Sequence, residues 1–412
     1  MKIDERAWKT WGEFNRTIDK KRIIFFGYSL DWIGKTLRKS NLTISSIVDN
    51  SQNFQGTDSV YGVKILATKN LLHKRDDEYI VITSLSFESI YRELIHTGFT
   101  PGKDFCITPA LNSVKVVNDI NSKDFRLLVS SPDHLIYFKD TSNLGGGLYE
   151  FSVTSKAVGC EKLVAGTFRQ IVDMENGNIA VLEEMNGIRI FEKGSVIGFW
   201  KFIECDKGDR PHGLAYDKVN NIFYMACTAK DEIAAYDADT GKPIDSAEIL
   251  SWKASVDGKN HHWINDLAIK DRYLYLSLFS ISGCQQEGVY DGGIMQINLD
   301  RPDERQVVAR DLWMPHTVRF FGEELCYLDS MNGRFYKGSA LVGEFNGFTR
   351  GLGYDGVYYY VGQSENRYFD QFKGKRNNVG MNAGFFLFDE ETKASKFFEV
   401  PRLHQVHDLL VL

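Results

Sequence analysis

A polar residue placed just before a short apolar strand recurs six times in this 412-residue chain. The six copies read TFRQIVD, RPHGLAY, WINDLAI, MPHTVRF, FTRGLGY and QVHDLLV, and their marked residues are Arg169, His212, Asn265, His316, Arg350 and His407. Several strand-like runs separate each marked residue from the next, which is typical of a β-propeller. One marked residue at the same place in every blade predicts a ring around the propeller axis, which we call the axial ring.

The end of the chain predicts how the propeller closes. From about residue 124 onward, short strands alternate with turns rich in Gly, Asp and Asn, which is the texture of an all-β domain. The chain stops at VHDLLVL, an innermost strand with nothing after it, whereas FRLLVSS (125–131), GGLYEFS (146–152) and KLVAG (162–166) lack an innermost partner. We therefore expect residues 124–412 to form six blades, the last closed by the C-terminal strand, which hides both exposed edges.

The first part of the chain has a different pattern. After a polar leading segment with helical spacing, KRIIFFGYS reads as a buried strand, LDWIGKTLRKS as a helix, and LTISSIVDN, EYIVITS and DFCIT as further strands. Strands that alternate with helices predict a small parallel sheet with Rossmann-like winding. The expected fold class is thus multidomain, with an α/β domain over 1–115 and a β-propeller over 124–412.

The glycine turn after the first strand raises the question of a nucleotide. Gly27 and Gly34 remain there with Ser29 between them, so the full GxGxxG fingerprint is absent. Asp49 ends the second strand, where an acid can accept hydrogen bonds from ribose hydroxyls. Gly27, Ser29 and Asp49 are therefore candidate ligands for a nucleotide or nucleotide-sugar, with a structural or assembly role as the alternative.

Composition narrows the class of protein. A net charge of -6 gives no electrostatic reason to expect nucleic acid as a partner. The charged N-terminal segment lacks the apolar core of a signal peptide, and no apolar run approaches the roughly 18 residues of a membrane span. The six cysteines form no CxxC pair. A cytoplasmic protein without a membrane span is expected.

Both halves resemble known families. The stretch FFGYS…GKTL…SSIVDNSQNFQGTDSVYGVKI, with its Asp49-Asn50 pair, Gly56 and Gly62, resembles the Rossmann-like nucleotide-sugar-binding domain of bacterial sugar acyltransferases. It departs from that family at Tyr28 and at Asp31–Ile33, where small residues are usual. The phrases PHGL, NDLA, PHTV, TRGL and HDLL are similar to those of an uncharacterised family of bacterial six-bladed propellers. These resemblances imply a setting in surface-glycan metabolism, with a glycan-pathway partner or a homo-oligomer as possible assemblies.

The chemistry of the axial ring suggests a metal. His212, His316 and His407 fall on alternate blades, and three neutral imidazoles suit Zn²⁺, Mn²⁺ or Fe²⁺ with a position left open. The arrangement is similar in kind to the three-histidine axial metal of six-bladed peptide-amidating lyases. Arg169 and Arg350 would clamp a carboxylate or phosphate bidentately.

Other polar residues are expected at the same mouth. Asp266 and Asp408, one position past the ring, should point away from the axis as structural groups. The long loops 281–293 and 364–384 would cover this face. The candidate catalytic residues are Arg169, Arg350, Asn265, His262, Asp329 and Glu365.

Two functions of the propeller remain open at this point, besides a third possibility in which the Rossmann-like domain holds the active nucleotide site and the propeller only presents substrate. One is a metal-dependent lyase or hydrolase that acts on a small anionic substrate, an anionic sugar or nucleotide-sugar, at the propeller mouth. The other is a non-catalytic ligand-binding or scaffold protein, in which the polar ring is structural.

Overall fold

The chain divides into two compact units, residues 1–119 and 120–412. The computed structural model describes residues 3–132, 145–154, 156–184, 186–192, 199–205, 209–244, 260–366, 368, 371 and 378–412. Part of the predicted loop 364–384, at 367, 369–370 and 372–377, lies outside the described residues. In the described part of the chain, no helix is long and apolar enough to cross a membrane.

The first unit is a parallel sheet flanked by helices, as predicted. Its strand order is β3-β2-β1-β4-β5 and every pairing is parallel. The edge strand β3 is only two residues long and was not predicted, because so short a run carries no periodicity. The strands are β1 Arg22–Phe26, β2 Thr43–Val48, β3 Ile65–Leu66, β4 Glu78–Ile82 and β5 Phe105–Ile107. The helices are α1 Trp11–Ile18, α2 Leu30–Arg38, α3 Phe87–His96 and α4 Asn112–Ser122.

The central strands of this sheet are buried on both faces. In β1 and β4 all residues after the first are buried, and separate apolar clusters cover the two faces. Continuous apolar runs such as IIFF and YIVI are what a sheet covered on both sides requires. The same runs therefore explain both the parallel topology and the fold of this unit.

The second unit is a six-bladed β-propeller, and this prediction is confirmed. Each blade is an antiparallel four-stranded sheet, and the blades are β12-β11-β10-β9, β13 to β16, β17 to β20, β21 to β24, β25 to β28, and β29-β6-β7-β8. In chain order the strands are β6 Phe125–Ser131, β7 Gly147–Val153, β8 Val158–Ala165, β9 Phe168–Asp173, β10 Asn178–Glu183, β11 Gly187–Glu192, β12 Phe199–Glu204, β13 Pro211–Asp217, β14 Ile222–Cys227, β15 Glu232–Asp237, β16 Pro243–Ile244, β17 Ile264–Lys270, β18 Tyr273–Leu278, β19 Gly292–Asn298, β20 Arg305–Leu312, β21 Pro315–Phe321, β22 Glu324–Asp329, β23 Arg334–Lys337, β24 Ala340–Glu344, β25 Phe348–Tyr354, β26 Tyr359–Ser364, β27 Gly384–Phe388, β28 Ser395–Glu399 and β29 Asp408–Val411. We number the blades one to six in the order of this first list.

The C-terminal strand closes the sixth blade. β29 pairs antiparallel with β6, from Asp408 opposite Ser130 to Val411 opposite Leu127. The backbone N–H of His407 also donates to the carbonyl of Ser130 at 2.9 Å. The innermost strand of blade six is thus the last strand of the second unit, and the other three strands of that blade are the first three of the same unit, as predicted.

A β-bulge accompanies the ring residue in each of the first five blades. The pairing of β13 with β14 slips between Pro211 and Gly213, around His212, and the other four innermost strands slip at or next to their ring residues. A bulge bends its strand and re-aims the side chain at that point. Neighbouring strands also come close here, since a Cβ on Gly213 would lie 2.0 Å from the carbonyl oxygen of Asn265.

Candidate functional site

The axial ring is an enclosed feature of the propeller. Its six residues stand at the start of the innermost strands, and their exposed fractions range from 1% for Asn265 and His316 to 7% for Arg350. Any ligand of the ring would therefore be held in surroundings that exclude water, where electrostatic interactions are strong.

Two of the three histidines are braced by their own backbone. Nδ1 of His212 lies 2.9 Å from the carbonyl oxygen of Arg210, and Nδ1 of His316 lies 2.9 Å from that of Met314. Both carbonyls are turned toward the ring because Arg210 and Met314 adopt left-handed backbone angles, with φ of 44° and 50°. A carbonyl only accepts, so both imidazoles carry a proton on Nδ1 and a lone pair on Nε2.

All three histidines are neutral at physiological pH. Burial lowers the pKa of His212, His316 and His407 well below the ordinary value. The positive charges of Arg169 and Arg350 lower these pKa values further. Neutral imidazole is the form that binds a metal ion or accepts a proton.

The imidazole rings are spaced more widely than binding to one shared metal ion requires. The ring centroid of His407 lies 6.4 Å from that of His212 and 6.4 Å from that of His316. Three imidazoles on one Zn²⁺, at about 2.0–2.1 Å per nitrogen, have centroids roughly 5–5.5 Å apart. Within the described residues, no group of three or more His, Cys, Asp or Glu side chains is already placed to hold a metal ion. The donors fit a divalent ion in chemistry, and in spacing they would have to close by about 1 Å.

The two arginines of the ring differ in their partners. Arg169 is bound to the buried carboxylate of Glu184, with Nε and Nη2 at 3.1 and 2.5 Å from one oxygen. Arg350 stacks on the ring of Phe348 at 4.8 Å, and its Nη1 donates to Oε1 of Gln405 at 3.5 Å. Arg169 therefore belongs to a buried ion pair, and Arg350 is the better candidate to hold an anionic group.

Several ring atoms are buried without a partner. Among the described residues, the side-chain N and O of Asn265, Nε2 of His316 and both ring nitrogens of His407 make no hydrogen bond. The same holds for Nε2 of Gln405 and Oγ1 of Thr349. An unsatisfied buried polar group costs about 1–3 kcal/mol. Such a cluster is unusual for native protein and is what a ligand-binding site would contain.

An aromatic wall stands beside the imidazoles. Trp263 packs edge-to-face with His212 at 6.2 Å, and Phe279 and Phe348 do the same with His316 at 5.2 and 5.4 Å. These rings belong to an apolar cluster that also contains Met314. The wall keeps the imidazoles desolvated and gives a ligand an apolar surface to pack on.

Three other predicted catalytic residues have structural contacts. His262 is buried, its backbone N–H donates to Asp231, and its Nδ1 bonds to the carbonyl of Ser280 at 2.8 Å. Asp329 accepts from the N–H of Trp313 at 2.8 Å, and burial raises the pKa of this carboxyl. Each of these two contacts holds a loop of the same propeller face.

The third, Glu365, forms a separate pair. One of its carboxylate oxygens lies 2.8 Å from Nδ1 of His404, and its backbone N–H donates to the His404 carbonyl. This pair joins the loop after β26 to the segment that leads into β29. The structure thus brings the six ring residues together, with His262, Asp329 and Glu365 in the loops around them.

A second polar layer lies farther along the same strands, and we call it the floor layer. It comprises Gln170, Asp266, Thr317 and Asp408, each one position after a ring residue, and Arg319, three positions after His316. From blade one, Nε2 of Gln170 donates to the Leu267 carbonyl at 2.6 Å, and its Oε1 accepts from the N–H groups of Leu214 and Leu267. One carboxamide therefore joins blades one, two and three.

Arg319 does the same for the other side of the propeller. From blade four, its guanidinium donates to the carbonyls of Leu352 at 2.6 Å, Leu409 at 2.8 Å and Ile171 at 3.0 Å. It also bonds to the carboxylate of Asp408 at 2.7 Å. Arg319 thus ties blade four to blades five, six and one, and with Gln170 it links all six innermost strands.

The two aspartates of the floor layer accept from backbone amides of other blades. Thr317 N–H donates to Asp266 at 2.6 Å, and Ile171 N–H donates to Asp408 at 2.9 Å. Burial raises the pKa of each carboxyl to about 6. Asp266 does not point away from the axis as expected, because its Oδ1 lies 3.4 Å from Nε2 of His407 on the opposite blade.

A large cavity lies at the other end of the channel. It has a volume of about 760 Å³ and is lined by the floor-layer residues Gln170 and Arg319 and by the following parts of the innermost strands. None of the six ring residues lines it. Lysines at its edge are paired across blades, Lys218 with Glu175 at 2.5 Å and Lys270 with Glu323 at 2.7 Å. These charges fasten neighbouring blades, so size alone does not make this cavity the functional site.

The candidate nucleotide ligands meet at the carboxyl end of β1 and β2. Gly27 has φ of 99°, and a Cβ there would lie 2.5 Å from Cβ of Ser84. Ser29 caps α2, and the carboxylate of Asp49 accepts from the N–H groups of Tyr28 and Ser51, each at 2.7 Å. Asp49 therefore organises the turn itself. Nucleotide binding here stays a prediction.

Three side-chain contacts with the ring were not predicted from the sequence. Glu184 bonds Arg169, Gln405 bonds Arg350, and Asp266 faces His407. Glu184 follows β10 at the mouth and Gln405 stands two residues before a ring histidine, so their positions were visible in the sequence. Their contacts were not, because each depends on how the bulged strands meet across blades.

Comparison with known proteins finds distant structural likenesses. No family model and no curated protein sequence matches the chain. A chain of a nidogen–laminin complex is 11% identical, with 70% of this chain and 98% of that chain covered and a TM-score of 0.49. An auxiliary nutrient-binding protein from Bacteroides thetaiotaomicron is 11% identical, with 58% and 74% covered and a TM-score of 0.40. The calcium-binding protein regucalcin from Agrobacterium tumefaciens is 13% identical, with 57% and 74% covered and a TM-score of 0.39. Such distant likenesses carry no argument about chemistry.

Proposed function

We propose that the axial ring is the site of a divalent-metal-dependent lyase or hydrolase that acts on a small anionic sugar or nucleotide-sugar. The observation that carries this proposal is the set of three buried, neutral histidines on alternate blades. Two of them have Nδ1 fixed by a backbone carbonyl. In other proteins, a hydrogen bond from the ring nitrogen that does not bind the metal orients the imidazole for metal binding.

His212, His316 and His407 would hold the ion. A bound Zn²⁺, Mn²⁺ or Fe²⁺ supplies Lewis acidity, which polarises a carbonyl or lowers the pKa of water toward about 7. Lyase or hydrolase chemistry is favoured because it needs no further cofactor, and the chain lacks a complete dinucleotide fingerprint.

The remaining residues would bind and orient the substrate. The Arg350 guanidinium, stacked on Phe348, suits a carboxylate or phosphate. The Asn265 carboxamide can donate to one hydroxyl and accept from another, as a sugar offers, which would satisfy both of its buried atoms. Trp263 and Phe279 would pack on the apolar side of the substrate and keep water out.

The setting in surface-glycan metabolism rests on the two family resemblances alone. The N-terminal unit would then bind the nucleotide part of a related donor or a partner from the same pathway. Fold-level analogy does not establish either role.

A non-catalytic ligand-binding or scaffold function is the second candidate. It is favoured by the pairing of Arg169 with Glu184, which leaves that arginine occupied within the protein. In that case the ring would hold an anionic ligand, and no metal would be needed.

Metal analysis of untagged protein separates the two candidates. We expect about one equivalent of Zn, Mn or Fe in the wild type after reconstitution, and loss of that metal in a His212→Ala/His316→Ala double variant. His96→Ala, an exposed histidine of the first unit, serves as the control and should retain the metal. A reconstituted wild type without stoichiometric metal would contradict the enzyme proposal and favour the binding protein.

A further inference from the structure

His407 differs from the other two histidines in how it is held. His212 and His316 each bond through Nδ1 to a carbonyl two residues earlier, where the backbone is left-handed. In blade six the equivalent residue is Gln405, which is not among the residues with positive φ. Among the described residues, neither ring nitrogen of His407 makes a hydrogen bond. The local brace of blades two and four is therefore missing here.

A side chain from the opposite blade takes its place. Asp266 lies in the floor layer of blade three, where Thr317 N–H fixes one carboxylate oxygen at 2.6 Å. The other oxygen, Oδ1, lies 3.4 Å from Nε2 of His407. This is longer than a formed hydrogen bond, which a small rotation of either side chain would close. Contacts of this kind often shorten when a site is occupied.

We infer that Asp266 is a positioning residue that holds His407 in the tautomer with the proton on Nε2. A carboxylate accepts and does not donate, so its bond to Nε2 requires the proton there and leaves the lone pair on Nδ1. The ring would then present Nε2 from His212 and His316 and Nδ1 from His407. The inference deepens the proposed function but does not depend on a metal, because the tautomer exists in the metal-free protein.

Nitrogen NMR of histidine-labelled, metal-free protein tests it. Two-bond ¹⁵N–¹H spectra distinguish a protonated ring nitrogen from one with a lone pair, and single His→Gln variants assign the three signals. We expect the Nδ1–H form for His212 and His316 and the Nε2–H form for His407. An Nδ1–H form for His407 in the wild type would overturn the inference without any further variant.

Two matched aspartate variants test the cause. Asp266→Asn should abolish the preference of His407 for the Nε2–H form and leave the other two histidines unchanged. Asp408→Asn is the control, since Asp408 is an equally buried floor carboxylate that accepts an amide but bonds to Arg319 instead of facing a ring nitrogen. If Asp266→Asn leaves the tautomer of His407 as in the wild type, Asp266 has only a structural role.

Metal affinity provides an independent readout. Loss of a group that hydrogen-bonds to a metal-binding histidine typically weakens metal binding by about 10–100-fold. Asp266→Asn should therefore weaken Zn²⁺ binding by that factor relative to Asp408→Asn. A wild type that shows the expected tautomer but binds no Zn²⁺ would remove the proposed function and keep this inference. A wild type that binds Zn²⁺ with the opposite tautomer would do the reverse.

Discussion

The axial ring and the floor layer are both built from polar residues near the start of the innermost strands, yet they differ in hydrogen bonding. In the floor layer, Gln170 and Arg319 bond backbone groups of the other innermost strands, those of blades one, two, three, five and six. In the ring, Asn265 and His407 have buried polar atoms that make no hydrogen bond to any described residue. The side chains of both layers are buried except that of Arg319, which is 16% exposed.

This contrast distinguishes polar residues that stabilise the fold from polar residues that would bind a ligand. A buried polar network that is fully satisfied makes a core rigid and specific, whereas an unsatisfied one lowers stability. Folding alone would favour apolar residues in the ring. The floor layer is therefore assigned to holding the blades together, and the ring is where a ligand would restore the missing hydrogen bonds.

Removing the strand that supplies both layers should have the largest effect. Deletion of residues 405–412 takes away β29, its four backbone pairs with β6, and Asp408. We expect loss of the cooperative thermal transition of the propeller, because the deletion opens the sixth blade and removes the buried partner of Arg319, and a typical domain is stable by only about 5–15 kcal/mol. Calorimetry and limited proteolysis measure it, with deletion of Leu412 alone as the control. A truncated chain with the wild-type transition would mean that the blades do not depend on this closure.

Breaking the floor layer at Arg319 should have the next largest effect. Arg319→Met leaves the buried Asp408 carboxylate without its guanidinium and removes bonds to three carbonyls. Loss of one partner of a buried ion pair costs about 3–5 kcal/mol, which chemical denaturation should detect. The same substitution at Arg301, in an exposed pair with Glu304, should change the unfolding free energy by less than about 1 kcal/mol. Equal effects at the two sites would contradict the structural role of the floor.

The carboxyl of Asp266 predicts a pH dependence of stability. Burial raises its pKa from 3.8 to about 6, so its contribution to stability is present below about pH 4 and is lost as the pH rises through about 6. Relative to Asp266→Asn, the wild type should lose about 3 kcal/mol of unfolding free energy over that interval. The ring histidines, whose pKa values are lowered, act in the opposite direction, and the comparison with the variant cancels the effect of His212 and His316. A difference that does not vary with pH would show that Asp266 titrates normally.

The sequence predicted the fold well because the fold rests on local patterns. Apolar runs in the first unit and the repeated strand phrases gave the parallel sheet and the six blades, and the unpaired strand at Asp408–Val411 gave the closure. The two-residue strand β3 was missed for want of any pattern. Local periodicity is thus sufficient to predict the architecture and insufficient to predict the two-residue edge strand.

The site was predicted only in part, for a physical reason. The six ring residues could be found because each stands at the same place in its repeat. Their partners could not, since Glu184, Gln405 and Asp266 reach them across turns and blades. The burial of the ring, which shifts the pKa values of its histidines, depends on how the blades pack together. No single repeat of the sequence predicts it.

A substitution in the axial ring with the smallest expected effect on stability is the most direct test of the difference between the ring and the floor layer. Asn265→Leu replaces a buried carboxamide by an apolar side chain of similar size, and neither amide atom of Asn265 bonds to a described residue. The unfolding free energy should therefore stay within about 1 kcal/mol of the wild type or rise, because the desolvation cost of the amide is removed.

Gln170→Met makes the matching change in the floor layer. It leaves the buried N–H groups of Leu214 and Leu267 without an acceptor, at about 1–3 kcal/mol each. If both substitutions destabilise the protein alike, the ring is as structural as the floor, and the assignment of a ligand to it fails. If Asn265→Leu is neutral or stabilising while Gln170→Met is costly, the Asn265 carboxamide is retained for something other than folding. The ring then holds a ligand whose hydroxyl or amide groups complete its hydrogen bonds.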